Sequence, residues 1–204
     1  MKKYPLIGKG TLCILMILSF IGIAARSQAQ QSQAPGQMHA VAPPSADEIM
    51  SAAKAKATAE HKNVLIIFHA SWCGWCKKMD ASIQDPTCKD YFDKNFVIEH
   101  LTVMENGANV ALENPGAQKM LEQYGGGESG IPYWLIFSAD GKLLADSKFH
   151  SDDPGDPAND QNMGCPAQPA EVDYFVSVLK KNTKMTDEQA AAVKTRFLKN
   201  APGK

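Results

Sequence analysis

Five consecutive apolar residues, Val64-Leu65-Ile66-Ile67-Phe68, lead almost directly into Trp72-Cys73-Gly74-Trp75-Cys76. The run is short, uncharged and rich in β-branched side chains, which predicts a strand buried on both faces. Lys77 to about Ile83 then has helical character, so the cysteine pair falls where a strand ends and a helix begins. Free backbone N–H groups and the helix dipole favour negative charge at such a junction, and a thiolate is the reactive form of cysteine. Two intervening residues place the second cysteine one helical turn on, within bonding reach of the first. Disulfide exchange needs an attacking thiolate and a second thiol that resolves the mixed disulfide. Cys73 is therefore expected to be the exposed nucleophile and Cys76 the sheltered resolver, with Lys77 and Lys78 weakly lowering the thiol pKa.

The flanking pattern supplies a frame for this junction. Ser45-Ala46-Asp47-Glu48 has the capping-box spacing and predicts a helix to about Glu60. After the motif, Asp85-Pro86 interrupts the helix, and a second piece runs from Thr87 to Lys94 into an alternating strand, Phe96 to Val103. Asn114-Pro115 reads as an N-cap with proline at the first helical position, opening a helix that ends in Gly125-Gly126-Gly127. Tyr133-Trp134-Leu135-Ile136-Phe137 and Lys142-Leu143-Leu144-Ala145, joined by Asp140-Gly141, predict a hairpin. Ser147 to Gln168 is a long polar loop. Val172, Phe175, Val176 and Leu179 recur at helical spacing, and Thr186 caps a further helix. One parallel strand pair extended by an antiparallel hairpin, with helices on both faces, is the economical packing: an α/β fold with a central mixed β-sheet.

The N-terminus reads as an export signal. Lys2, Lys3 and Lys9 precede an uncharged run from Thr11 to Ala25, and Ser27-Gln28-Ala29 supplies small residues for cleavage. The apolar run is shorter than the ~20 residues of a membrane span, so no stable span is expected after cleavage, with an uncleaved anchor as the alternative. Four of the 21 basic residues and none of the 22 acidic ones lie in 1–29, leaving 17 against 22, a net charge of −5 (17 − 22). Nucleic acid is not an expected partner of such a surface. Export favours disulfides. The four cysteines outside the signal, Cys73, Cys76, Cys88 and Cys165, allow three pairings, and the C-x-x-C spacing favours Cys73–Cys76. Residues 1–29 are thus a signal peptide, 30–44 a flexible leader rich in Gln, Ala and Pro, 45–182 one domain and 183–204 a C-terminal helical extension.

Two readings compete for the motif. A C-x-x-C is also half a zinc site, but no second C-x-x-C or histidine pair completes it; no metal and no cofactor are expected. A purely structural disulfide is the other reading, and it does not require the flanking tryptophans.

Ala70-Ser71-Trp72-Cys73-Gly74-Trp75-Cys76-Lys77-Lys78 resembles the active-site segment of the thioredoxin superfamily, in particular exported bacterial thioredoxin-like proteins. Gly130-Ile131-Pro132 is similar to the family's second mark, a cis-proline facing the cysteines. The resemblance covers roughly residues 45–182. It implies a thioredoxin fold, a cis Pro132, and substrate pairing with the backbone of Ile131; Cys73 and Cys76 are the implied redox couple, and Trp72, Gly74, Trp75, Ile131 and Pro132 the implied substrate contacts. The chain also departs from the family. Ile67 stands where thioredoxin has a buried acid, which leaves the proton acceptor for Cys76 open between an unassigned group and His69. Trp75 replaces a common proline, so redox strength is open. An isoleucine before the proline resembles reductases more than oxidases.

Cys88 is read as an apolar packer and Cys165 as a possible third redox thiol, with a Cys88–Cys165 bridge disfavoured by the inferred topology. Asp152-Asp153-Pro154-Gly155-Asp156 lacks the spacing of an EF-hand and is read as solvated loop. The leading expectation is a periplasmic thiol–disulfide oxidoreductase, reducing disulfides of exported proteins or peptides and recharged by a membrane thiol electron donor. Oxidase or isomerase direction, secretion or signal anchoring, a non-catalytic binding module with a structural disulfide, and a redox chaperone for metal- or haem-protein assembly are the alternatives.

Overall fold

Ser45 opens the first helix through a reciprocal cap: its hydroxyl accepts from the Glu48 amide at 3.2 Å, and the Glu48 carboxylate accepts from the Ser45 amide at 2.8 Å. The computed structural model describes residues 42–202. The expected signal peptide, 1–29, and most of the expected leader lie outside the described residues. Helix α1 (Ala46–Glu60) is followed by β1 (Asn63–His69), α2 (Gly74–Ile83), α3 (Lys89–Asn95) and β2 (Phe96–Thr102). A 3-10 helix (Gly107–Leu112) precedes α4 (Ala117–Gln123), the hairpin β3 (Tyr133–Phe137) and β4 (Leu143–Asp146), then α5 (Pro169–Asn182) and α6 (Asp187–Leu198).

The strand order is β2-β1-β3-β4, with β1 parallel to β2 and antiparallel to β3, and β3 antiparallel to β4. Successive strand residues face opposite sides, and both faces are covered. Leu65 and Ile67 of β1, with Trp134 and Ile136 of β3, pack against α2, α3, α5 and α6. Val64, Ile66 and Phe68, with Tyr133, Leu135 and Phe137, pack against α1 and α4. This double covering explains the unbroken apolar run of β1. Each aliphatic side chain buried there contributes about 1.5–3 kcal/mol. The fold is the α/β arrangement expected, a mixed sheet between helical layers.

One cap differs from expectation. Asn114 and Pro115 do not start α4; Gly116, at φ 83°, is the N-cap. The Asn114 side chain is committed elsewhere: its oxygen accepts from the Thr102 amide at 2.7 Å and its nitrogen donates to the Pro44 carbonyl at 2.9 Å. It ties the end of β2 to the start of α1 instead. The region 183–202 adds α6, capped by Thr186, whose Val193 and Phe197 enter the same apolar cluster as α5.

Candidate redox site

Cys73 is the N-cap of α2. It forms a disulfide with Cys76, with Cα atoms 5.3 Å apart, and its Sγ accepts from the Cys76 amide at 3.1 Å. The sulfur thus lies at the positive end of a ten-residue helix. The Ile131–Pro132 peptide is cis, and the Ile131 carbonyl oxygen lies 3.6 Å from Cys73 Sγ. These residues form a small apolar cluster of Ala70, Cys73 and Cys76 with Ile131 packed on it.

The expected contrast between an exposed Cys73 and a sheltered Cys76 is not found: the two are 3% and 2% exposed. Both cysteines share one small cluster with Ala70, and Ile131 of the cis-proline loop packs against it. Exposure passes to the neighbouring rings, since Trp72 and Trp75 are 54% and 40% exposed. Gly74, between them on the first turn, has open space where a Cβ would stand.

The strand-to-helix loop is held from outside. Glu105, nearly buried, accepts from the Ser71 amide and, at 2.8 Å, from the Ser71 hydroxyl. The Trp72 indole N–H donates to the Met104 carbonyl at 2.8 Å. The Glu113 carboxylate accepts from the Glu105 amide at 2.7 Å. Neither Glu105 nor Glu113 carries a local sequence signal, because the segment that contains them has no hydrophobic period.

The cis-proline loop is held by Asn162. Its side-chain nitrogen donates toward the carbonyls of Ser129, Gly130 and Pro132 at 3.0, 3.1 and 3.2 Å. Its oxygen accepts from the Ser147 hydroxyl at 2.7 Å and the Gly164 amide at 2.9 Å. Gly164, at φ 57°, passes so close that a Cβ would meet the Pro132 oxygen at 3.4 Å, and its carbonyl accepts from the buried Trp134 indole. Asn162 is a site residue that the sequence did not reveal, since an asparagine among turn-formers reads as one more turn-former.

Other sequence candidates are placed less directly. His69 Nε2 lies 3.2 Å from Thr102 Oγ1 and its ring packs edge-on against His100, itself paired with Asp80 at 2.7 Å. Burial, and then the neighbouring His100, hold the His69 pKa below the usual imidazole value. Ile67 is fully buried in the core. Lys78 stands 4.2 Å above the Trp75 ring and donates to the Asn200 carbonyl at 3.0 Å. Cys88 and Cys165 are unbridged and buried. Burial pushes the Cys165 thiol up to about 12, and Asn200 donates to its sulfur at 3.4 Å. Among the described residues, no group of three or more His, Cys, Asp or Glu is arranged to hold a metal ion, and no helix is long and apolar enough to cross a membrane.

A groove of about 340 Å³ opens beside the disulfide. Trp75, Ile131 and Pro132 form its redox end, Met163 and Cys165 its side, and Pro202 closes it from the C-terminal segment. That segment is anchored by Asn200, which donates to Ser82 Oγ at 2.8 Å, and by Arg196, which donates to Asp85 at 2.8 Å.

Comparison with known proteins finds a matching family, a relative and similar solved structures. The family described as Thioredoxin-like matches residues 47–139. The thiol:disulfide interchange protein DsbD of Photorhabdus laumondii is 28% identical over 91 residues, 44% of this chain, which spans only 14% of that relative's length. Among solved structures, the disulphide isomerase of Xylella fastidiosa Temecula1 is similar at 20% identity and a TM-score of 0.43, covering 81% of this chain and 95% of that one. The oxidised C-terminal domain of Neisseria meningitidis DsbD is similar at 19% identity and a TM-score of 0.42, covering 69% and 97%. With the Trp-Cys-Gly-Trp-Cys motif at the head of α2 and a mixed β2-β1-β3-β4 sheet, residues 47–139 form a thioredoxin-like domain within an α/β thioredoxin fold.

Proposed function

We propose that the chain is a thiol–disulfide oxidoreductase acting on disulfides of exported proteins, working as a reductase through the Cys73/Cys76 couple. The observation that carries this is the sulfur of Cys73 seated as N-cap of α2, bonded to Cys76 and facing the Ile131 carbonyl. In the reduced protein the Cys73 thiolate attacks a substrate disulfide. A Cys73–substrate bond forms and one substrate sulfur leaves as thiolate, taking up a proton. Cys76, deprotonated, then attacks Cys73 Sγ; the Cys73–Cys76 bond forms and the second substrate thiol departs. Two electrons pass to the substrate, and a dithiol donor at the membrane restores the couple. The exposed Trp72 and Trp75 rings and the Ile131–Pro132 loop hold the substrate chain, and the signal-like residues 1–29 direct the protein to the periplasm. The interchange activity named for the DsbD relative supports the same reaction class.

A second reading, a binding module whose disulfide is only a staple, is favoured by the burial of both sulfurs. Insulin reduction and the Cys73–Cys76 potential separate the two. Turnover that disappears in Cys73→Ser supports the enzyme. A potential below about −300 mV, as in inert structural bridges, with no turnover, establishes the staple.

A further inference from the structure

We propose that this groove selects extended polypeptides bearing a lysine or arginine a few residues from the reacting cysteine. The identity of the site rests on the redox reading above; the chemistry of its occupant is argued from the groove itself. Beyond Met163 the groove adjoins a second cavity of about 340 Å³, and the two share Asn162, Met163 and Glu171. The added half is built by Phe149, Asp156 and Ala170, all outside the residues that match the family. It is therefore built by the long polar loop and the first turn of α5, beyond the family-matched segment.

Among the described residues, Glu171 and Asp156 are the charged side chains that line the two cavities, while Lys78 lies over Trp75 at the other end of the groove. Both carboxylates are half-buried, and neither forms an ion pair among the described residues. Glu171 uses one carboxylate oxygen to accept from the Ala167 and Gln168 amides, and Asp156 uses one to accept from Ala158. The second oxygen of each has no protein donor among the described residues. Carboxylates in a recess attract a cation more strongly than carboxylates in open water. Met163, which lines both cavities, and Phe149, which lines the second, offer apolar surface that suits the methylene stem of a lysine or arginine whose charged head reaches the acids. Ile131 lines the same groove as Met163 and Glu171, so a strand paired with Ile131 lies beside this surface.

Binding of redox-inert peptides tests the proposal without requiring turnover. Two unstructured peptides carry serine in place of the central cysteine; one has lysines, the other glutamates, at about two to five residues on either side, the reach of an extended chain across the groove. Titration into the oxidised protein, followed by Trp75 fluorescence, is expected to give about three- to tenfold tighter binding of the lysine peptide, shrinking in about 0.5 M salt. Glu171→Gln with Asp156→Asn keeps the oxygens that accept from the backbone and is expected to erase the preference. Equal affinity for the two peptides overturns the proposal, as does a preference unchanged by the double substitution or by salt. A dimer in solution that peptide does not displace makes a second copy the occupant, and also overturns it. Insulin reduction is measured alongside: its failure with peptide discrimination intact removes the redox reading while supporting the recognition chemistry.

Discussion

The side-chain nitrogen of Asn162 lies 3.2 Å from the carbonyl oxygen of Pro132, so a residue of the long polar loop fixes the strand start that faces the cysteines. Asn162 is a positioning residue: it acts through the carbonyls of Ser129, Gly130 and Pro132. Asn162→Ala removes the donor, and Asn162→Asp replaces it with an acceptor aimed at three other acceptors. Both are expected to destabilise, by about 1–3 kcal/mol for the alanine and more for the aspartate. Urea denaturation and insulin reduction check this, with KM rising more than kcat falls because the groove, not the sulfur couple, is disturbed. An Asn162→Asp variant as stable as the original chain would show that the carbonyl contacts carry no energy.

Alkaline pH is expected to weaken the fold. Burial pushes the Cys165 thiol up to about 12, raises Cys88, and pushes the Tyr91 hydroxyl up to about 12. Each group holds its proton more tightly folded than unfolded, so the folded state binds more protons between the two pKa values. The stability this supplies is complete below the unfolded thiol value of about 8.5 and falls as pH climbs from there toward 12. Urea midpoints between pH 7.5 and 10.5, in the original chain and in Cys165→Ala, measure it. A midpoint that stays flat, or a slope identical in the variant, contradicts the assignment to Cys165.

At the acid end His69 has the opposite effect. Burial lowers its pKa, so the unfolded chain binds the extra proton and stability falls as pH drops through the unfolded value of about 6.5. His69→Gln is expected to flatten that limb of a stability–pH curve. If the curve keeps its shape, the imidazole is not buried neutral.

Phe197, fully buried between Phe92 and Phe175, joins α6 to the main core. Its truncation to alanine is expected to cost about 3–5 kcal/mol. Calorimetry or urea melting decides the point, and a loss below about 1 kcal/mol would mean that α6 is a dispensable appendage.

Much of the fold was legible because local signals agreed with one another. The Ser45–Glu48 box, the Val64–Phe68 run, the Asp140-Gly141 turn and the Thr186 cap each have a mechanism that works at short range. Asn114 misled for the same reason: an Asn-Pro pair carries a helix-start pattern, yet a tertiary bond to Thr102 claims its side chain. At the site, the Cys73–Cys76 pairing could be read because the C-x-x-C spacing is part of the chemistry, whereas Pro132 was singled out through the family resemblance. The near-equal burial of Cys73 and Cys76 could not, since it depends on a loop 58 residues away. Asn162, Glu105 and Asn200 were equally hidden, because each is defined by partners distant in sequence.

Pro202 lines the recess beside the disulfide, and Asn200 pins that part of the chain to α2. A growing polypeptide thus acquires its strand, both sulfurs and Pro132 long before it acquires the last wall of the recess. A molecule clipped before Asn200 would keep the Cys73–Cys76 bond but lose the Pro202 wall and the Asn200 tie to Ser82, so its groove would lie open on that side.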